Sequence, residues 1–312
     1  MNKESYMSAS TFPVKLLHNK VIKNNKIIPY HVQFIPTNRC NLRCNYCSCD
    51  DRDKKLEFTI KESMEIIDRL QKLGTKTLTI TGGGEPMMYD HINSIIGYAK
   101  IKGIQSGLVT NGTALNLLFK SPKWCRISSG DGREPSWDEI TEAVKENPKT
   151  EFAFSHVMGK NPNYETIEKI VRYANKHKFT HVRLVNDLLK VDEIGENILI
   201  AKNRLKNAKI DDSNVIYQAR KDYLKGNEKC LISLLKPVIS PDKKVYPCCG
   251  SQYAIKGQKK DMGRALCDLK DLEKVITDQK YFNGKACQVC YYNQYNNVLG
   301  MMIKKLDDMR FV

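Results

Sequence analysis

Between Tyr30 and Asn186 the chain repeats one pattern, a short β-branched or apolar run followed by a helix-period stretch. No feature constrains the fold more, because such alternation predicts parallel strands joined by crossover helices. The strands read as Ile27–Pro36, Thr77–Thr81, Gln105–Thr110, Trp124–Ser129, Glu151–Val157 and Phe179–Val185. Val32 and Phe34 alternate onto one face of the first. The helix over Thr59–Leu73 opens with Thr59 as cap and Glu62 three residues on. It shows Ile60, Met64, Ile67 and Leu70 along one face and ends at Gly74. Further helices are expected over Tyr89–Lys102, over Ser136–Glu146 with Ser136 as cap, and over Tyr164–His177. About 250 residues are needed for a closed eight-stranded barrel, and this stretch is shorter. A six-stranded partial (β/α)6 barrel of the TIM-like kind fits. We expect a loose lead-in over 1–29, the barrel over 30–212, and a small cysteine-rich domain over 213–312, with Val215–Gln218 as a further strand.

The loop after the first strand reads Thr37-Asn38-Arg39-Cys40-Asn41-Leu42-Arg43-Cys44-Asn45-Tyr46-Cys47. Cys40, Cys44 and Cys47 stand at C-x3-C-x2-C spacing. A cubane iron–sulfur cluster takes four thiolates, so a loop with three leaves one iron open to a non-protein ligand. A structural zinc knot is the alternative; it prefers four ligands in short pairs. The loop closely resembles that of the radical S-adenosylmethionine (SAM) superfamily. The resemblance implies that Cys40, Cys44 and Cys47 bind a [4Fe–4S] cluster whose fourth iron is chelated by SAM. It also implies that Tyr46 packs near cluster and adenine. Cys49 is an extra thiol that the spacing does not require.

The second strand runs into Gly82-Gly83-Gly84-Glu85-Pro86. Glycines after a strand let the backbone approach a ligand. The run resembles the family's GGE motif, which implies that Gly83, Gly84 and Glu85 contact SAM. Asn111, in the Thr110–Thr113 turn, and Ser128 stand at strand ends where the family holds the SAM ribose and carboxylate. Ser129-Gly130 departs from the acidic or hydrophobic residue many members carry. Arg183 and Asn186, at the end of the sixth strand, could face the same pocket; an exterior ion pair is the plainer reading of Arg183. Cys125 reads as core packing.

Cys230, Cys248, Cys287 and Cys290 form a second group, two single thiols and a C-x2-C pair. With Ile239–Cys248 and Met262-Gly263-Arg264 around them, they resemble the Twitch domain, a shortened SPASM domain with one auxiliary [4Fe–4S] cluster. A zinc ribbon is the alternative. Cys249 and Cys267 are either spare or substitutes for Cys230.

Eleven cysteines favour metal binding over disulfides in a chain without a secretory signal or a membrane-length apolar run. We therefore expect a cytoplasmic protein. The net charge is +16, from 51 basic and 35 acidic residues, and the basic residues are scattered. That permits a polyanionic substrate without demanding one.

The resemblance supplies the chemistry. A reduced cluster cleaves SAM to a 5′-deoxyadenosyl radical, which abstracts hydrogen from a substrate carbon. The auxiliary cluster assists electron transfer, and flavodoxin or ferredoxin supplies electrons. Peptide or protein side chains and nucleotides or nucleic acids are equal candidates for substrate. The non-enzymatic alternative is a zinc-containing, basic nucleic-acid-binding protein.

Overall fold

The computed structural model describes residues 8–187, 195–218, 224–252, 264–287 and 290–304. The lead-in is not loose. Helix α1 (Ser8–His18) and the hairpin of β1 (Ile22–Lys23) and β2 (Lys26–Ile27) occupy it. Leu16, Val21 and Ile27 are buried, and Ile27 donates its backbone N–H to Gln279 Oε1 at 2.7 Å. The apolar residues of this segment therefore find their cover in the C-terminal part of the chain.

The barrel strands then follow: β3 (His31–Phe34), α2 (Ile60–Lys72), β4 (Thr77–Ile80), α3 (Ile92–Ile101), β5 (Gln105–Thr110) and β6 (Trp124–Gly130). After them come α4 (Trp137–Glu146), β7 (Glu151–Met158), α5 (Tyr164–Lys176), β8 (His181–Asn186), α6 (Gly195–Asn207) and β9 (Val215–Gln218). β3 to β9 pair in sequence order, every pair parallel. The expected alternation is therefore present, with one exception. Only a 3₁₀ turn at Leu115–Leu117 lies between β5 and β6.

The remaining elements are α7 (Ile232–Leu235), β10 (Val238–Ser240), β11 (Lys244–Tyr246), β12 (Cys267–Asp268), α8 (Leu272–Thr277) and α9 (Asn293–Ile303). They do not form a separate layer. β10 lies parallel beside β3, with Val238 opposite Gln33, and β11 and β12 continue the sheet antiparallel. The result is one open ten-stranded sheet in the order β12-β11-β10-β3-β4-β5-β6-β7-β8-β9. β9 pairs parallel with β8, so the sheet runs on past residue 212. Met262 and Gly263 lie outside the described residues.

Local chemistry explains the helices. Thr59 and Glu62 form a reciprocal capping box on α2, Thr59 N–H to Glu62 Oε2 at 2.8 Å and Glu62 N–H to Thr59 Oγ1 at 3.2 Å. Ile66, Ile67 and Leu70 are buried on its inner face, each contributing about 1.5–3 kcal/mol. Met64 is half-buried, so the inner stripe is turned toward Ile66 relative to the expected one. Gly74, at φ +92°, ends α2: its N–H reaches the Gln71 carbonyl and that of Thr75 the Leu70 carbonyl. Ser136 precedes α4 but makes no side-chain capping bond. Asn163, which we did not single out, caps α5 through the Thr166 N–H at 3.2 Å.

The outer faces of the strands carry Val32, Phe34, Leu78, Ile80, Cys125, Ile127, Val182 and Leu184, all buried. The inner faces are polar. His31 Nε2 lies 2.7 Å from Thr79 Oγ1, and Arg126, Ser128, Ser155, His181 and Arg183 hold the corresponding positions on β6, β7 and β8.

His181 is buried, and burial, then Arg183 and Arg126, hold its imidazole down to about 3. An unfolded histidine titrates near 6.5. Between these values only the unfolded chain takes up the proton, so stability falls as pH drops through that window. Thermal melting from pH 8 to pH 4 should show a decline below about pH 6.5, less steep in His181→Asn.

Candidate functional site

The backbone of β3 delivers the cysteine loop to the carboxyl ends of the strands, the side where parallel α/β folds bind ligands. Cys40, Cys44 and Cys47 border a cavity of about 270 Å³ there. The walls are the glycine loop after β4, the ends of β5 and β6, and Val157, Val185 and Asn186 from β7 and β8. Tyr46, Gly83, Gly84, Glu85, Asn111 and Ser128 all line this one cavity. Sequence positions from 40 to 186 thus meet at a single opening.

The glycine loop is pressed against the approach to the cysteines. Gly84 N–H donates to the Thr37 carbonyl at 3.2 Å, and Glu85 N–H to the Arg39 carbonyl at 2.7 Å. A Cβ on Gly84 would run into the Asn38 and Arg39 backbone, and one on Gly83 into the Arg52 and Asn38 side chains. The strand-end glycine Gly130 is likewise covered by the Tyr46 ring. Arg39 fixes the other side of the loop, donating to Glu57 at 2.8 Å and to the Met88 carbonyl at 2.6 Å.

Glu85 is buried and its carboxylate is held by three protein donors. Oε1 accepts from Thr110 Oγ1 at 2.6 Å and Met87 N–H at 3.0 Å; Oε2 accepts from Asn111 N–H at 2.6 Å. Burial raises its pKa, against the pull of these bonds. Its side chain therefore ties the glycine loop to the end of β5. Thr110→Val removes one donor from a buried carboxylate, which costs about 1.5–3 kcal/mol for a bond to a charged group; urea unfolding measures it.

Asn111 carries the tie on to the cysteine loop. Its Nδ2 donates to Asn41 Oδ1 at 2.9 Å, and Asn41 Nδ2 donates to Thr113 Oγ1 at 2.7 Å. Arg133 closes the ring, donating to the Asn111 carbonyl at 2.9 Å and to the Ser128 carbonyl. Sequence reading missed Arg133 because it lies in a loop without a motif. Beneath it, Ser129 Oγ lies 3.0 Å from His156 Nδ1, and His156 Nε2 lies 3.3 Å from Asp131 Oδ1. These groups brace the ends of β6 and β7.

The loop thiols differ. Burial raises Cys40, whereas a hydrogen bond from Cys49 holds Cys47 down to about 6. Cys49 therefore acts on Cys47 from inside the same cavity wall. Among the described residues the buried Asn186 Oδ1 has no hydrogen-bond partner, and the Tyr46 hydroxyl is buried beside Cys44 and Arg133. Cavity-facing thiols, glycine backbone and an unmet polar atom suit a cluster with a polar organic ligand.

The second cysteine group assembles where the segment after Leu224 pairs with the segment after Phe282. Cys290 N–H donates to the Leu224 carbonyl at 2.7 Å, and Cys230 N–H to the Phe282 carbonyl at 3.0 Å. Gly226 N–H donates to the Cys287 carbonyl at 2.8 Å. Burial pushes the Cys230 thiol up to about 12, with Cys290 and Cys287 as charged neighbours. Cys248 also stands next to Cys230, and its thiol is raised by burial. Cys248, Cys287 and Cys290 thus each lie within electrostatic reach of Cys230. Cys249 lies beside Tyr292, its Sγ 3.8 Å from the hydroxyl. Cys267 is instead near Arg69, Asp268 and Asp271. Among the described residues, no three ligating side chains converge tightly enough to grip a single metal ion.

Residues 34–128 match the Radical SAM superfamily model. An S-adenosylmethionine-dependent nucleotide dehydratase of Flammeovirga pacifica is 33% identical over 107 residues, 32% of this chain and 36% of that protein. A GTP 3′,8-cyclase of Haemophilus influenzae is 32% identical over 190 residues, 53% of this chain and 55% of that protein. The chain thus spans about half or less of these relatives. Among solved structures, Streptococcus suis SuiB bound to S-adenosylmethionine superposes with a TM-score of 0.59 at 14% identity, covering 92% of this chain and 77% of that one. The structure of anSMEcpe with bound AdoMet and Kp18Cys peptide gives 0.53 at 16%, covering 82% and 81%. At such identities the structural likeness speaks for the fold, a partial barrel of the same kind.

Proposed function

We propose that this chain, a radical SAM superfamily enzyme, uses the cavity at Cys40, Cys44 and Cys47 to bind a [4Fe–4S] cluster and SAM. The single observation that carries this is the meeting of the three thiols, the glycine loop and four strand ends at one opening. When bound, the cluster and SAM supply a 5′-deoxyadenosyl radical that abstracts hydrogen from substrate.

The chain's residues bind, orient and exclude water. Gly83 and Gly84 offer backbone where side chains would block approach. Glu85, occupied by Thr110, Met87 and Asn111, works by fixing the glycine loop, while backbone of that loop remains to meet the SAM amino group. Tyr46 presents a ring and a hydroxyl that lines the cavity. Ser128 and Asn111 are the polar groups within reach of ribose and carboxylate.

In the second group, Cys230, Cys248, Cys287 and Cys290 would hold an auxiliary [4Fe–4S] cluster. The support is the reach of the other three thiols to Cys230, and four protein ligands favour an electron-transfer role over substrate ligation. A flavodoxin or ferredoxin would supply electrons to the first site. For substrate, a nucleotide is favoured by relatives whose activities are on nucleotides. A peptide is the second reading, favoured by the fold shared with SuiB, a structure of which holds its precursor peptide.

Cys290→Ala tests the auxiliary site. It should lower iron by about half, from two cubanes to one, and impair product formation while SAM is still cleaved. Unchanged iron content would reject the second cluster.

A further inference from the structure

The second cysteine group has a cation set against it by the sheet register. β10 and β11 pair antiparallel, with Val238 opposite Tyr246, Ile239 opposite Val245 and Ser240 opposite Lys244. Two residues past the Val238–Tyr246 pair, the same register brings Lys236 level with Cys248. Residues directly opposed in an antiparallel pair share a face and have neighbouring Cβ atoms. Backbone bonds hold this position from both sides. Lys236 N–H donates to the Ile232 carbonyl at 2.8 Å, and the Pro237 carbonyl accepts from Gln33 N–H at 3.0 Å. A second route leads to the same place. Lys236 Nζ lies 5.9 Å from the Tyr292 ring centre, and the Tyr292 hydroxyl lies 3.8 Å from Cys249 Sγ.

This ammonium lacks a carboxylate. Lys236 is half-buried and its neighbours Leu234, Leu235 and Val238 are buried. Among the described residues no acidic side chain pairs with it. Burial lowers its pKa, the Cys249 thiol raises it, Arg126 lowers it, Cys248 raises it and Arg183 lowers it. His31, itself pressed down by burial and then by Lys236, supplies no anion either. The attractive partners among these groups are the two thiols. A cation withdrawn from water calls for a counter-charge. A cubane on four thiolates is an anion, and taking up an electron makes it more so. Its net charge and its surroundings set its potential.

We infer that Lys236 is the charge partner of the auxiliary cluster at Cys248 and raises its reduction potential. This rests on the auxiliary-cluster reading above and adds a residue that tunes it. The aromatic cover works the other way. Tyr292 is buried and packs against Phe12, with ring centres 6.4 Å apart. A low-dielectric wall opposes added negative charge, and a fixed ammonium offsets that opposition most strongly in the reduced state. Lys236 stands apart from the cavity at Cys40, Cys44 and Cys47. It is therefore a positioning residue that acts through the cluster.

The test is a redox titration followed by electron paramagnetic resonance. It uses the anaerobically reconstituted full chain carrying Cys44→Ala, so that the auxiliary cluster is read alone. In that background Lys236→Met should make one-electron reduction at least tenfold less favourable, a fall of about 59 mV. Lys236→Arg keeps the charge and should recover most of the loss. Lys149→Gln, an exposed cation elsewhere, should change the equilibrium by about twofold or less. Circular dichroism confirms that each variant is folded. If Lys236→Met loses the auxiliary iron, Lys236→Gln is titrated in its place. Iron lost from both neutral variants and kept in Lys236→Arg supports the same pairing. An unmoved potential in an iron-replete neutral variant overturns the inference. An equal fall in Lys236→Arg or Lys149→Gln, or iron loss in all three Lys236 variants, does so too. Iron is counted first in the unsubstituted chain. About four irons instead of eight would reject the auxiliary cluster and the inference together, whereas eight irons with an unmoved potential would reject the role of Lys236 alone.

Discussion

Cys44→Ala should abolish reductive cleavage of SAM and remove about half of the bound iron, one cubane of two. Cys44 is the middle thiol of the three in the motif, and the one further thiol on this cavity wall is Cys49. Its backbone also shapes the loop, since Cys47 N–H donates to the Cys44 carbonyl at 3.0 Å. Alanine keeps that bond and removes only the thiol, so the loss reads ligation and not folding. Cys49 is the internal control. Its sulfur is 4.0 Å from the Gly82 carbonyl and adjoins Cys47, within the same cavity wall. Cys49→Ala should retain the first cluster and SAM cleavage, with slower reconstitution. A Cys49→Ala variant as dead as Cys44→Ala would reassign the ligand set.

The second large effect is expected from Gly84→Ala. The added methyl has nowhere to go, because its nearest neighbours are the Asn38 and Arg39 backbone. A side chain could swing away; backbone held by the bonds from Gly84 and Glu85 N–H cannot. The loop must move off Thr37–Arg39, taking Glu85 from its three donors or displacing Cys40. Overpacking of this kind costs about 1–3 kcal/mol, and loss of a buried carboxylate's bonds adds more. The expected result is a lower melting temperature together with loss of SAM binding by equilibrium dialysis. Gly97→Ala provides the contrast: nothing lies near its added Cβ, and a helix interior gains about 1 kcal/mol from alanine. If Gly84→Ala melts and binds SAM like the wild type, the glycine loop does not press on the cysteine loop as described.

Much of the site was legible because its parts are local. The C-x3-C-x2-C spacing, the glycine run and the Thr59–Glu62 cap each fit within a few residues, and each follows or opens an expected element. Parallel topology then brings successive strand ends together without further information. What escaped depends on distant partners. β10 pairs with β3 across some two hundred residues, and nothing in Val238–Ser240 marks it as a continuation of the barrel sheet. The lead-in looked loose because Leu16, Val21 and Ile27 are sparse apolar residues whose cover comes from elsewhere. Arg133 and Asp131 sit in a loop that reads as an ordinary polar turn. Ser136 shows the reverse error, a hydroxyl in the right place that does not bond. Glu85 has a second task that the motif does not announce: its carboxylate, beside the cavity, accepts from Thr110, Met87 and Asn111.

The most direct test of the central claim is anaerobic reconstitution with iron and sulfide, then incubation with SAM and dithionite. The account predicts about eight irons per chain, two cubanes, and release of 5′-deoxyadenosine. Zinc in place of iron, with SAM untouched, would contradict it.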